Sequence, residues 1–224
     1  MVKVIPAILV GSFKELTERL SLFRGIAETV QIDVCDGKFV PSKSWPLVGD
    51  TGEFEKMRAE KEGLPFWENF DFEIHLMVTD PRIHIVDWVK AGASRILIHA
   101  ETVSSEEFSE TLHEWKGVVE IGMVLNPDTS LDRLADVAHE VALVQLMGIR
   151  KVGFQGQPFE PKTSDRVREI RLKYPALSIS VDGAVNKDTA PALVAAGATH
   201  LVIGSALSGA SDIRRAYREF SALS

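Results

Sequence analysis

Short apolar runs alternate with amphipathic stretches along the whole chain, eight times in 224 residues. The apolar runs fall near Val2–Leu9, Thr29–Val34, Phe72–Met77, Arg95–His99, Val119–Leu125, Val141–Met147, Leu177–Val181 and His200–Ile203. They are nearly continuous in Val, Ile and Leu, the pattern of parallel strands covered on both faces. Between them, Phe13–Phe23, Gly52–Lys61, Arg82–Ala91, Ser105–Trp115, Ser130–Ala138, Ser164–Lys173, Ala190–Ala196 and Asp212–Phe220 read as helices. Capping residues mark several starts: Ser12 with Glu15, Ser104 with Glu107, and Asp188. Gly92 and Gly197 follow two apolar helices, where a residue tolerating positive φ closes the last turn.

At about 28 residues per unit, the repeat is close to the shortest that returns a chain to a parallel neighbour. Eight such units predict an α/β chain folded as a (β/α)8 barrel, with an open doubly wound sheet as the alternative. No linker, low-complexity run or charge block divides the sequence, so residues 1–224 are read as one domain. The exception to the regular spacing is Pro41–Asp71, long for one connection and expected to form a lid or interface loop around a short helix. Trp45 and Trp67 within it, like Trp88 and Trp115, read as packing groups, with a lid or subunit contact as the alternative for the first two.

Composition narrows the class further. A single cysteine, Cys35, makes no internal disulfide and points to a reducing, cytoplasmic setting. No apolar run approaches the roughly 20 residues of a membrane span. Pro6 interrupts the apolar N-terminus, which reads as a first core strand and not a signal peptide. The net charge of −7, from 25 basic and 32 acidic residues, argues against nucleic acid or an anionic membrane as partner.

In such a barrel the C-terminal strand ends line the active site. Asp33, His75 and Asp182 stand at three of those ends. Taken singly, each reads equally as a cap or a core group. Together, two carboxylates and an imidazole at one mouth can hold a divalent metal, move protons, or both. Gly153 and Gly156 follow the sixth strand, Gly183 the seventh, and Gly204 with Ser205 the eighth. Glycine lets backbone N–H groups approach a phosphate closely, so this cluster predicts a phosphate cradle without lysines. Arg150 and Lys151 either add charge near that phosphate or form a solvated loop. His84, His113, His139 and His200 are assigned to the surface or to packing. His99 reads as a core residue that could orient a neighbour.

An ordered set of segments resembles the ribulose-phosphate 3-epimerases. It comprises IPAIL (Ile5–Leu9), DVCDGKFVP (Asp33–Pro41), HLMVTDP (His75–Pro81), HAE (His99–Glu101) and VLNPDT (Val124–Thr129), then GFQGQPF, VDGAVN and IGSA. The resemblance implies a barrel of the ribulose-phosphate-binding type, usually homo-oligomeric, whose partner is a small-molecule sugar phosphate. It implies an isomerase that epimerises a ketose phosphate at C3, of the ribulose 5-phosphate to xylulose 5-phosphate type. Asp33 and Asp182 would be the two catalytic acids, working through a metal-stabilised enediolate. A divalent metal of the Zn, Fe, Mn or Co type would be held by Asp33, His75, Asp182 and, weakly, Gln31. Met77 and Met147 would cap the reacting region, and Ala7, Gly153, Gly156, Gly183, Ala184, Gly204 and Ser205 would line the substrate and phosphate site.

The departures are specific. Gln31 stands where the family has a metal-binding His, Ala7 where it has Ser, Cys35 where it has Met, and Ala184 where it has Gly. An amide oxygen is a weaker ligand than imidazole for a borderline metal. These losses keep a second expectation open: a sugar-phosphate-binding or regulatory barrel that has lost metal-dependent turnover. A decarboxylase or synthase barrel has less support, because its Asp-x-Lys-x-x-Asp segment does not occur at the second strand.

Overall fold

The computed structural model describes residues 2–154 and 156–223. Its strands are β1 (Lys3–Ile8), β2 (Thr29–Cys35), β3 (Asp71–Met77), β4 (Ala93–His99), β5 (Glu120–Leu125), β6 (Val144–Met147), β7 (Ile179–Asp182) and β8 (His200–Ile203). They pair in parallel in sequence order, and β8 closes onto β1. The closed barrel replaces the open-sheet alternative. Around it run α1 (Phe13–Ser21), α2 (Gly52–Arg58), α3 (Arg82–Ala91), α4 (Ser105–Glu114), α5 (Lys162–Lys173), α6 (Ala190–Ala196), α7 (Ser205–Ser208) and α8 (Ile213–Ser221).

Local chemistry explains most boundaries. Ser12 accepts from the Glu15 amide at the head of α1, and Ser104 and Glu107 form a reciprocal capping box on α4. Gly92 and Gly197 close α3 and α6 with φ of 105° and 112°, a region that favours glycine. The helices bury one stripe each against the barrel, for example Leu16 and Leu20 on α1 and Val167 and Ile170 on α5.

Two expectations need correction. Ser130–Ala138 is not an α-helix; only Leu131–Leu134 form a 3-10 turn. The Ser130 hydroxyl bonds the Asp132 amide two residues on, which tightens the start. Asp188 does not cap α6: the Asn186 carboxamide oxygen accepts from the Asp188 and Thr189 amides instead. Trp45 is a packing group, as expected, and belongs to no lid. It is fully buried among Phe13, Phe54 and Trp88, with ring centroids 5.5–6.0 Å away. The long 41–71 segment thus folds back under its own helix α2 and packs on α3.

That segment also braces the mouth of the barrel. The Ser44 hydroxyl donates to the Asp33 carbonyl at 2.8 Å and accepts from the Cys35 amide at 2.9 Å. The end of β2 that carries Asp33 is therefore fixed from outside the sheet.

Candidate active site

Alternate side chains of each strand point into the barrel. β2 turns Gln31, Asp33 and Cys35 inward, β3 His75 and Met77, β4 His99, β6 Gln145 and Met147, and β7 Ser180 and Asp182. Asp33 and His75 are register partners, and so are Met147 and Asp182. Closure of the barrel brings β2 and β7 to opposite flanks of β1 and β8, with His75 beneath both carboxylates.

The cluster is tight. His75 Nδ1 lies 3.0 Å from Asp33 Oδ1 and 3.4 Å from Asp182 Oδ2. Gln31 Nε2 donates to Asp33 Oδ1 at 2.9 Å and to Asp182 Oδ2 at 3.1 Å, and lies 3.3 Å from His75 Nδ1. These contacts bring the four side chains into one compact cluster. A tetrahedral metal with bonds of about 2.0–2.2 Å spaces its donors about 3.3–3.6 Å apart, so a slight outward adjustment opens the site to a cation. Asp33, His75 and Asp182 fit that role as they stand. Gln31 fits once its amide is turned over, because Oε1 now has no hydrogen-bond partner and the NH2 group fills the fourth corner.

The electrostatics match a site built around positive charge. Burial raises the Asp33 carboxyl above its usual range, and the nearby Asp182 adds to this, while His75 and Gln31 oppose it. Burial alone would lower His75, but Asp182 and Asp33 together hold it up at about 9. His99, buried beside His75, is pushed down to about 4 and stays neutral despite its contact with Glu101.

Above the cluster opens a cavity of about 300 Å3, the lower end of the range for small-molecule sites. Its lining includes Asp33 and Asp182 with Ala7, Met77 and Met147. The loops contribute Gly153, Gly156, Gly183, Ala184, Gly204 and Ser205. Every residue expected to touch substrate thus borders one space, whereas Gln31 and His75 lie under its floor. Arg150 and Lys151 are not part of it. They line a neighbouring recess with Phe39, Asn126 and Phe154, and Arg150 is paired with Asp128 and Glu160.

Comparison with known proteins places this arrangement. A model of the ribulose-phosphate 3 epimerase family matches residues 3–208. The chain belongs to the ribulose-phosphate 3-epimerase family. It is 35% identical to the ribulose-phosphate 3-epimerase of Bacillus subtilis, with 98% of each chain covered. It is 32% identical to the cytoplasmic isoform of Oryza sativa, covering 94% of this chain and 89% of that one. Among solved structures, a 3-hexulose-6-phosphate synthase from Salmonella typhimurium superposes with a TM-score of 0.68 at 14% identity, covering 98% of this chain and 96% of that one. At that identity the likeness concerns the fold alone.

Within the epimerase family pattern, several contributors to the site escaped the sequence reading. Gln145 Nε2 lies 3.4 Å from Asp182 Oδ2, and Ser180 donates to Gln145 Oε1 at 3.1 Å. Their inward parity on β6 and β7 was the available signal. Glu101 extends the cluster on the other side through His99, which was expected to be a core residue able to orient a neighbour.

Proposed function

We propose that this family member is a ketose-phosphate 3-epimerase in which Asp33 and Asp182 exchange a proton at C3 from opposite faces of the substrate. The observation that carries the reading is the convergence of both carboxylates on His75 at the floor of a cavity rimmed by glycine loops. Asp33 commits Oδ1 and Asp182 commits Oδ2 to the cluster, leaving one oxygen of each for proton transfer. Burial makes Asp33 a stronger base than a solvated carboxylate, which suits abstraction next to a ketone. A divalent cation held by Asp33, His75, Asp182 and the turned Gln31 amide would supply Lewis-acid stabilisation of the charge that develops on the substrate oxygens.

Met77 and Met147 flank the carboxylates with apolar surface and limit water at the reacting carbon. The backbone at Gly183, Ala184, Gly204 and Ser205 is placed to receive the phosphate. The lone buried Cys35 fits a reducing compartment such as the cytoplasm. Ile83 and Val86, exposed one turn apart on α3, fit association of like chains.

One observation favours a second reading. The Gln31 amide already satisfies both carboxylates without a cation, as expected of a sugar-phosphate-binding barrel that does not turn over. Deuterium incorporation at C3 of ribulose 5-phosphate, with protein incubated in Mn2+ or Co2+, separates the two. Exchange supports the epimerase. Thermal stabilisation by the sugar phosphate with no exchange supports the binding protein.

A further inference from the structure

Below the metal-binding cluster runs a line of hydrogen bonds that the proposed proton transfer does not use. His75 Nε2 lies 3.0 Å from His99 Nε2, and His99 Nδ1 lies 3.0 Å from Glu101 Oε2. The two rings are nearly parallel, with an interplanar angle of 20°. Both imidazoles are fully buried. The other oxygen of Glu101 accepts from the Asn126 amide at 2.9 Å and from the Thr129 hydroxyl.

We propose that Glu101, acting through His99, fixes which nitrogen of His75 carries the proton and so leaves only Nδ1 open to a cation. The argument counts hydrogens. An ionised carboxylate only accepts, so His99 Nδ1 carries a proton toward Glu101. Two ring nitrogens 3.0 Å apart hold one hydrogen between them. With Nδ1 given to a cation, the neutral His75 ring keeps its single hydrogen on Nε2 and donates it to the His99 Nε2 lone pair. That is the arrangement the His99–Glu101 contact fixes. Nδ1, aimed at Asp33 and Asp182, is the nitrogen left to a cation. Glu101 and His99 are positioning residues: they touch no reacting atom and work through His75. The inference about the tautomer stands on these contacts, and its consequence for metal rests on the function proposed above.

The informative variant is Glu101→Gln. Asn126 and Thr129 donate to one oxygen of the side chain and keep the amide oxygen there. The NH2 group then faces His99 Nδ1 and donates to it. His99 must place its proton on Nε2, and His75 must give up its Nε2 proton and hold one on Nδ1. Two readouts follow. Nitrogen chemical shifts of the imidazoles, recorded on metal-free protein, are expected to show His99 protonated at Nδ1 in the parent and at Nε2 in Glu101→Gln. Co2+ binding, followed by visible absorption, is expected to weaken on the order of 10–100-fold in Glu101→Gln. Thr129→Val removes a hydrogen bond from the same carboxylate but leaves an ionised acceptor, so it is expected to keep the parental tautomer and to bind Co2+ within a few-fold of the parent.

A parent protonated at His99 Nε2 overturns the proposal without any variant. So does Glu101→Gln with unchanged shifts, or a loss of Co2+ in Thr129→Val equal to that in Glu101→Gln. A parent that binds no Co2+ but shows the expected shifts would overturn the metal reading alone.

Discussion

Ala7 and Gln31 are register partners across the β1–β2 ladder. The family resemblance implies Ser and a metal-binding His at these positions, and the two replacements stand side by side, one on the wall of the cavity and one in the Asp33–His75–Asp182 cluster. A hydroxyl at residue 7 would face substrate, and an imidazole at residue 31 would complete a tetrahedral set of ligands. Their joint absence is one local change in the chemistry of a single corner.

Restoring that corner should show what it costs. Gln31→His combined with Ala7→Ser is expected to tighten Co2+ or Mn2+ binding on the order of 10–100-fold and to raise the rate of C3 proton exchange. Competition with a chelator of known affinity measures the first. Equal affinities in parent and double variant would mean that Gln31 already serves as well as an imidazole.

Metal uptake should depend on pH through His75. Its folded value is raised to about 9, so a proton occupies Nδ1 throughout the neutral range and must leave before a cation binds. Apparent affinity is expected to rise about tenfold per pH unit up to that value and then level off. Isothermal titration in buffers of different ionisation enthalpy would detect the released proton. Affinity that is flat between pH 6 and 8 would sink the assignment of Nδ1 as the exchanging position.

The loop after β7 holds two neighbouring residues at positive φ, with different consequences. Gly183 has φ of 103°, and a Cβ there would meet Ile149 Cγ1 at 2.8 Å. Gly183→Ala is expected to destabilise by about 1–3 kcal/mol and to weaken sugar-phosphate binding. Ala184 has φ of 54°, inside the left-handed region. Ala184→Gly removes that penalty and is expected to stabilise by up to about 1 kcal/mol. Thermal melts with and without ribulose 5-phosphate compare both, and a stabilised Gly183→Ala would contradict the argument.

Asp36 should contribute to acid sensitivity. Burial alone would raise it, but bonds from Thr79, Lys38 and Phe39 hold the carboxyl down at about 2. A depressed carboxylate adds stability that is complete above its unfolded value near 3.8 and disappears as pH falls through about 2. Asp36→Asn is therefore expected to melt below the parent at pH 6, with the gap closing toward pH 2. A gap that stays constant over that range would mean the contribution is not ionic.

Sequence pattern was sufficient for the barrel because parallel strands buried on both faces need apolar residues almost throughout, as β5 has from Ile121 to Leu125. It failed at 130–138, where only Leu131–Leu134 wind into a 3-10 turn capped by Ser130. Trp45 was legible as a packing group, but its partners Phe13, Phe54 and Trp88 were not, since loop composition says nothing about which rings meet. Asp33, His75 and Asp182 were legible because strand ends in a barrel share one mouth whatever the intervening loops do. Glu101, Gln145 and Ser180 were not, because their significance lies in partners 2 to 37 residues away whose distances only closure fixes.

The sequence by itself determined the eightfold repeat, the family and the identity of the residues at the mouth, since all three follow from local pattern and spacing. The tertiary structure decided the chemistry of position 31. A glutamine can present oxygen or nitrogen, and which one faces the site depends on the two carboxylates and the imidazole that barrel closure brings within 2.9–3.3 Å of its amide. It also decided the state of His75, because a proton's place on an imidazole is set by the partners of both nitrogens, and those come from three different strands, β2, β4 and β7.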